Sequence, residues 1–323
     1  MIEILRKKEG ISLEEHIKNY GMTNINDVKD FIKTSLKYGV VYTHSGNEFH
    51  ADEVFALALL EYYRKSLNKR LGKEYYPTFK VIRDRNIPTK NKGLRIDVDA
   101  SILDHHMSKE KAPFRENGIQ YASAGLLWTI VGDELVPQKY VESVDFEIFE
   151  KIDACDNGIR DIESQYSLMV SSFVPNWNES ISLEEQMDKA IEIAYSIIER
   201  KIASILAIEE AKENVKNDYN NSKDKRIIIL SKPMNWQEVL VDTEALFVIW
   251  KGDNEWDCQA VPIELGSFEL KNGFNKEWRG YRNEELSKIS GLNLIFCHST
   301  GFYLVAKTKE DAIAACMKSL NWY

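Results

Sequence analysis

The chain has 323 residues and a formal net charge of −9, with 44% hydrophobic and 29% charged residues. That composition describes an ordinary globular protein. It excludes a broad, sequence-indifferent clamp for duplex nucleic acid, which needs a basic surface to release counterions.

The length predicts two domains, because single cores rarely grow beyond about 250 to 300 residues. No apolar run approaches the roughly 20 residues that span a bilayer, so no membrane insertion is expected. The start, MIEILRKKEG, turns charged too soon for a secretory signal, and a cytoplasmic protein is the expectation. Cys155, Cys258, Cys297 and Cys316 form no CxxC pair and are expected to be small buried hydrophobes.

Residues 1–39 read as a helical extension. Ser12-Leu-Glu-Glu15 is a capping-box pattern, and Val28, Phe31, Ile32 and Leu36 form an amphipathic stripe that Gly39 closes. The extension suits packing or contact between copies of the chain, so a homo-oligomer is one expectation for the assembly. Gly39–Thr43 predicts a β-branched strand opening onto His44, and Ser45-Gly46-Asn47 a tight turn. A helix apolar over most of its surface follows from Ala51. Asp52 and Glu53 lie in its first turn, where interaction with the helix dipole alone accounts for Glu53.

Strands are expected at Thr78–Arg83, Leu94–Val98 and Ser101–Leu103, and strand, helix, strand, strand at this spacing implies parallel crossovers. Ser123–Val131 and Val141–Ala154 read as helices, the second running into Asp153-Ala-Cys-Asp156-Asn-Gly158. Asp156-Asn-Gly is ordinary turn chemistry taken alone, and a carboxylate pair beside a site taken with the histidines. A long charged helix spans about Ser182–Asp218, with Ile191, Ile193, Ile197, Ile198, Ile202, Leu206 and Ile208 as apolar members. Beyond it, strands are expected at Arg226–Leu230, Ala245–Trp250, Trp256–Val261, Leu292–Cys297 and Phe302–Ala306, and a last helix from Thr308 to Leu320.

Four of the six histidines fall in two segments, VYTHSGNEFHADEV (Val41–Val54) and RIDVDASILDHH (Arg95–His106). His44, His50, Asp52, Asp97, Asp104, His105 and His106 thereby gather at strand ends, where open α/β sheets carry their sites. Imidazoles and carboxylates without a thiolate suit Mn²⁺ better than a structural Zn²⁺.

In this order, THSGNEFHADEV, DVDASILDHH, IDACDNGI, VPNWN, SFELKNGFNKEWRGYRNEELSKISG and FCHSTGF resemble the motif series of the MYG1 family, in the DHH phosphoesterase superfamily. The resemblance implies an α/β fold in which a DHH-type parallel-sheet domain (40–180) is joined by a helical linker (181–222) to a smaller α/β domain (223–323). It also implies hydrolysis of phosphodiester bonds, with 3′ to 5′ exonuclease activity on single-stranded RNA or DNA. Carried over residue by residue, it makes His44, His50 and Asp97 ligands of one Mn²⁺ and Asp52, Asp97, His105 and Asp156 ligands of a second. Asp153 is an alternative to Asp156, and Mg²⁺ an alternative occupant.

By the same resemblance Asp97 bridges the ions, as two cations about 3.5 to 4 Å apart require, and a shared water attacks phosphorus. His106 stabilises or protonates a phosphate oxygen, while Asp104 orients an imidazole. Arg279, Arg282, His298, Ser299, Thr300, Gly301 and Lys307 are expected substrate contacts. Trp278 and Tyr281 either stack a base or pack.

Three departures stand out. His44 precedes His50 by six positions, one more than the family pattern; Asp99 takes a glycine position and DHH follows almost at once; Leu304-Val305 replaces a glycine pair. Two other functions therefore stay open: a phosphoesterase for a nucleotide or (cyclic) dinucleotide, and a metal-binding, non-catalytic scaffold.

Overall fold

The computed structural model describes residues 10–108, 110–159 and 162–320. Residues 1–9 of the expected extension lie outside that range. The chain divides between Ala203 and Ser204 into two compact units, and each is α/β.

In the first unit, Ser12 caps α1 (Leu13–Asn19) by accepting the Glu15 N–H at 3.2 Å, and Asn24 caps α2 (Ile25–Leu36). Val28, Ile32 and Leu36 are buried as the stripe requires, while Phe31 stays exposed. The run after Gly39 becomes β1 (Val40–Thr43), the centre of a parallel three-stranded sheet ordered β2-β1-β3, with β2 at Lys80–Arg83 and β3 at Leu94–Arg95. Between β1 and β2 runs α3 (Ala51–Leu71), whose residues 51–60 are all buried and which packs on α4 (Ser123–Val131). A helix enclosed in this way needs no polar face in its first half, which is why its apolar residues cover so much of its surface.

Two expectations need correction here. The strand predicted over Leu94–Val98 stops at Arg95, and the strand predicted over Ser101–Leu103 is reduced to one parallel bridge, Ile96 to Leu103. Asp97, Asp99 and Ala100 adopt φ of 58°, 62° and 46°, which no strand accommodates.

Val141–Ala154, expected as one helix, is α5 (Gln138–Val144), a wide π turn over Asp145–Phe149 and α6 (Glu150–Asp156). In an uninterrupted α-helix, residues eight apart lie about 80° apart around the axis; one extra residue in a turn brings them to about 20°. Asp145 and Asp153 thereby share one partner. Arg115 Nη2 donates to Asp145 at 2.9 Å and to Asp153 at 2.6 Å, with Nε on Asp153 at 3.0 Å. A short helix that was not expected, α7 (Gln165–Ser171), packs on α3 and is capped by Ser164.

The long helix, α8 (Leu183–Asn221), runs across the division between the units. In the first unit it buries Met187, Ala190, Ala194, Ile198 and Ile202, a spacing of three or four, whereas Ile193 is exposed.

The second unit holds a five-stranded sheet of β4 (Ile227–Ile229), β5 (Phe247–Lys251), β6 (Trp256–Ala260), β7 (Leu294–Cys297) and β8 (Tyr303–Ala306), in the order β4-β5-β6-β8-β7. Only the β4–β5 pair is parallel. Alternation along β5 sends Phe247 and Ile249 into a core with Leu286 of α10 (Asn283–Ser290) and with Ala312 and Cys316 of α11 (Lys309–Leu320). Val248 points the other way, toward Val215 of α8 and Leu240 of α9 (Gln237–Leu240). Thr308 caps α11, its hydroxyl accepting the Asp311 N–H at 3.1 Å. Cys258, Cys297 and Cys316 are buried, while Cys155 is exposed, against expectation.

Candidate metal centre

The first histidine segment turns from the end of β1 into the start of α3. Glu53, fully buried at the third position of α3, ties the two together: Oε2 accepts the Thr43 hydroxyl at 2.7 Å and Oε1 the His50 N–H at 3.2 Å. Its Oε1 is also 3.2 Å from His44 Nε2. Sequence reasoning gave Glu53 only a dipole role. The signal that could have found it is its place as the capping-box partner of His50, one residue beyond Asp52.

The second segment folds as a tight turn after β3. Asp97, in left-handed backbone, donates its N–H to Leu103 O at 3.0 Å, and Asp104 Oδ2 accepts the Ala100 N–H at 2.8 Å. Left-handed non-glycine residues cost about 1–3 kcal/mol each and persist only where the surroundings impose them. The N-terminal helices impose them here. His16 Nε2 lies 3.0 Å from Ile102 O, and the Tyr20 hydroxyl donates to Ala100 O at 2.8 Å and Ser101 O at 2.9 Å.

Three imidazoles converge on the Asp97 carboxylate. Oδ2 lies 3.2 Å from His44 Nε2, and Oδ1 lies 3.2 Å from His105 Nε2 and 3.0 Å from His106 Nδ1. His105 Nε2 also faces Asp52 at 3.5 Å and Asp156, at the end of α6, at 3.3 Å. Three groups of donor atoms result, each within 4.8 Å: His44, Glu53 and Asp97; Asp97, His105 and His106; His50, Asp52 and Asp156. Asp97 belongs to two of them. His50 joins Asp52 and Asp156 instead of the expected His44 and Asp97.

Both oxygens of Asp52 and of Asp97, and Nδ1 of His44 and of His105, are buried without a hydrogen-bond partner among the described residues. Orphaned polar atoms of this kind are costly, and divalent cations are what this set of nitrogen and oxygen donors fits. Protons balance the excess negative charge otherwise. The carboxylates of Asp97 and Glu53, each 3.2 Å from its Nε2, push His44 up to about 10. Burial opposes charge on His105, but Asp52 and Asp97 carry it up to about 11. Burial and the neighbouring Asp52 charge raise Asp156 to about 8, whereas the three imidazoles hold Asp97 far below the carboxylate range despite its burial.

His106 has a different setting. Its Nδ1 is 2.9 Å from Asp104 Oδ1, which also accepts the His106 N–H at 3.0 Å, and more than half of its side chain faces solvent. The hydrogen bond to Asp104 and the neighbouring Asp97 carboxylate raise it to about 9. Asp104 thus holds the ring by one nitrogen and by the backbone beside it.

Asp153, the alternative to Asp156, is fully buried against Arg115, accepts the Gly125 N–H at 3.2 Å and belongs to none of the three donor groups. Burial pushes its carboxyl up to about 7 against the pull of Arg115.

In the second unit, Arg279 Nε donates to Phe274 O at 2.9 Å, and its guanidinium lies in space that a side chain at Gly273 or Gly301 would fill. The Arg282 guanidinium covers the Phe296 ring at 4.6 Å. His298 Nδ1 accepts the Thr300 N–H at 3.2 Å in the turn closed by Gly301, with Ser299 and Lys307 exposed. Trp278 is 2% exposed and belongs to the core, so packing and not stacking accounts for it; Tyr281 is exposed.

Residues 40–320 match the profile of the uncharacterised protein family UPF0160, the MYG1 exonuclease profile. The chain belongs to this family. Among its relatives, the MYG1 protein of Dictyostelium discoideum is 29% identical over 87% of this chain and 96% of that one. The human MYG1 exonuclease is 26% identical over 86% of this chain and 85% of its own length. Among solved structures, RecJ of Thermus thermophilus in complex with Mg²⁺ is 10% identical, with a TM-score of 0.27 over 93% of this chain and 52% of that chain.

Proposed function

We propose that this protein is a divalent-cation-dependent phosphodiesterase that acts, with Mn²⁺, as an exonuclease on short single-stranded nucleic acid. The observation that carries the reading is the convergence of three imidazoles on Asp97, with the buried oxygens of Asp97 and Asp52 left orphaned. Relatives named as exonucleases support it at the level of the family.

His44, His50, Asp52, Asp97, His105 and Asp156 would hold the cations, with Asp97 shared. Bound there, divalent ions supply the charge that lowers the pKa of an attacking water and neutralises a phosphate oxygen. The rest falls to the chain's own groups. Asp104 holds the His106 ring through Nδ1, and the ring's other nitrogen would donate to a phosphate or leaving oxygen. Arg279, Arg282 and Lys307 are proposed to bind phosphate oxygens of the substrate, and His298, Ser299 and Thr300 to hydrogen-bond it.

Labelled oligonucleotides incubated with Mn²⁺ test the reading. Wild type should shorten them from one end, and Asp97→Ala and His105→Ala should not; equal activity in all three would refute it. A second reading, hydrolysis of a dinucleotide or smaller phosphoester, is favoured by the tight turn between Asp97 and Asp104. It predicts a product ladder only from the shortest substrates.

A further inference from the structure

Residues 44–49 connect β1 to α3 and carry His44 at one end with His50 just beyond the other, yet none of them makes a backbone–backbone hydrogen bond among the described residues. A Ser-Gly-Asn turn without internal bonds has many conformations to lose. Two arginines hold it from outside.

The parallel register sets Arg83 beside Thr43, and Asp84 donates its N–H to Thr43 O at 2.9 Å. Residues two apart on an extended chain project to the same side. Arg83 and Arg85 therefore both reach the loop: Arg83 Nη2 donates to Glu48 O at 2.6 Å and Arg85 Nε to Ser45 O at 2.8 Å. Asp84 Oδ1 accepts the Asn86 N–H at 2.8 Å and turns the chain directly after them. Arg83 has little exposure, and Nη2 lies 3.9 Å from Glu53 Oε1, the oxygen that takes the His50 N–H. One guanidinium thus grips the front of the loop, and the other grips its back together with the carboxylate that starts α3.

We propose that Arg83 and Arg85 are positioning residues for the cation centre, a two-point clamp on the loop that aims His44 at Asp97 and His50 at Asp52 and Asp156. The inference rests on the metal-dependent reading above and deepens it.

The test is calorimetric titration of the full chain with Mn²⁺, beside thermal melting in a chelator. Arg83→Met and Arg85→Met should each weaken Mn²⁺ binding by roughly 10- to 100-fold, the usual effect of removing a group that orients a ligand. Arg85→Lys, which keeps a donor for Ser45 O, should recover part of that loss. Because Arg85 is exposed, the metal-free Arg85→Met chain should melt with wild type. Methionine variants that bind Mn²⁺ like wild type overturn the clamp, as does a binding loss matched by an equal loss of metal-free stability. A wild-type chain that takes up no Mn²⁺ removes the metal reading itself and the clamp with it.

Discussion

Cation binding at this centre must compete with protons. His44 and His105 are raised to about 10 and about 11 by the carboxylates they face, and Asp156 to about 8 by burial beside Asp52. At pH 7 both imidazoles are therefore charged and Asp156 is mostly protonated, while Asp97 is ionised. A cation needs neutral imidazole and free carboxylate, so filling the site should release about two to three protons.

The sign follows. Raising the pH strengthens Mn²⁺ binding, by up to about 100- to 1,000-fold per pH unit for the fully loaded site near neutrality, and the dependence flattens as the pH passes the His44 and His105 values. The metal-free fold behaves oppositely. Groups raised in the folded state contribute stability that is complete below their unfolded value, near 6.5 for histidine, and lost as pH climbs through the folded values of about 10 and 11.

Titrating Mn²⁺ at pH 7 in two buffers of different ionisation heat gives the proton count directly. Identical heats in both buffers would mean that no proton leaves. In that case either the imidazoles are not the carboxylates' counter-charges, or the cations bind elsewhere.

Two further outcomes are expected. His106→Gln should lower kcat by about 100- to 10,000-fold while Mn²⁺ uptake measured by calorimetry stays intact, the mark of a proton donor; loss of one whole cation would instead make His106 a ligand. Gly125→Ala places a methyl 2.0 Å from Asp153 Oδ2 and 2.6 Å from Arg115 Nη2. Breaking that buried pair costs about 3–5 kcal/mol against about 1 kcal/mol gained in helix propensity. Urea unfolding should therefore show a net loss of about 2–4 kcal/mol, and an unchanged midpoint would count against the pair.

The chemistry of this chain is written in residue types at short range. Histidine and aspartate at strand ends, the cap at Ser12, and the stripe of Val28, Ile32 and Leu36 depend on neighbours a few positions away, and each is legible from the order of residues. Period and capping are local physics, so they survive without knowledge of the fold.

The rest depends on what meets what across the chain. Asp153 and Asp156 are three residues apart with the same chemistry, yet Arg115, some forty residues earlier, claims one and leaves the other to His105. Glu53 has the place of a dipole partner, yet Thr43 and His44 close around it, and of the two roles open to Trp278, stacking or packing, the second unit's core selects packing. The strand expected at Ser101–Leu103 gave way to a turn braced by His16 and Tyr20 from α1 and its C-cap. Sequence by itself determined which donors this protein owns; tertiary structure decided which of them share one space, because burial and charge pairing are settled by long-range contacts that no local pattern encodes.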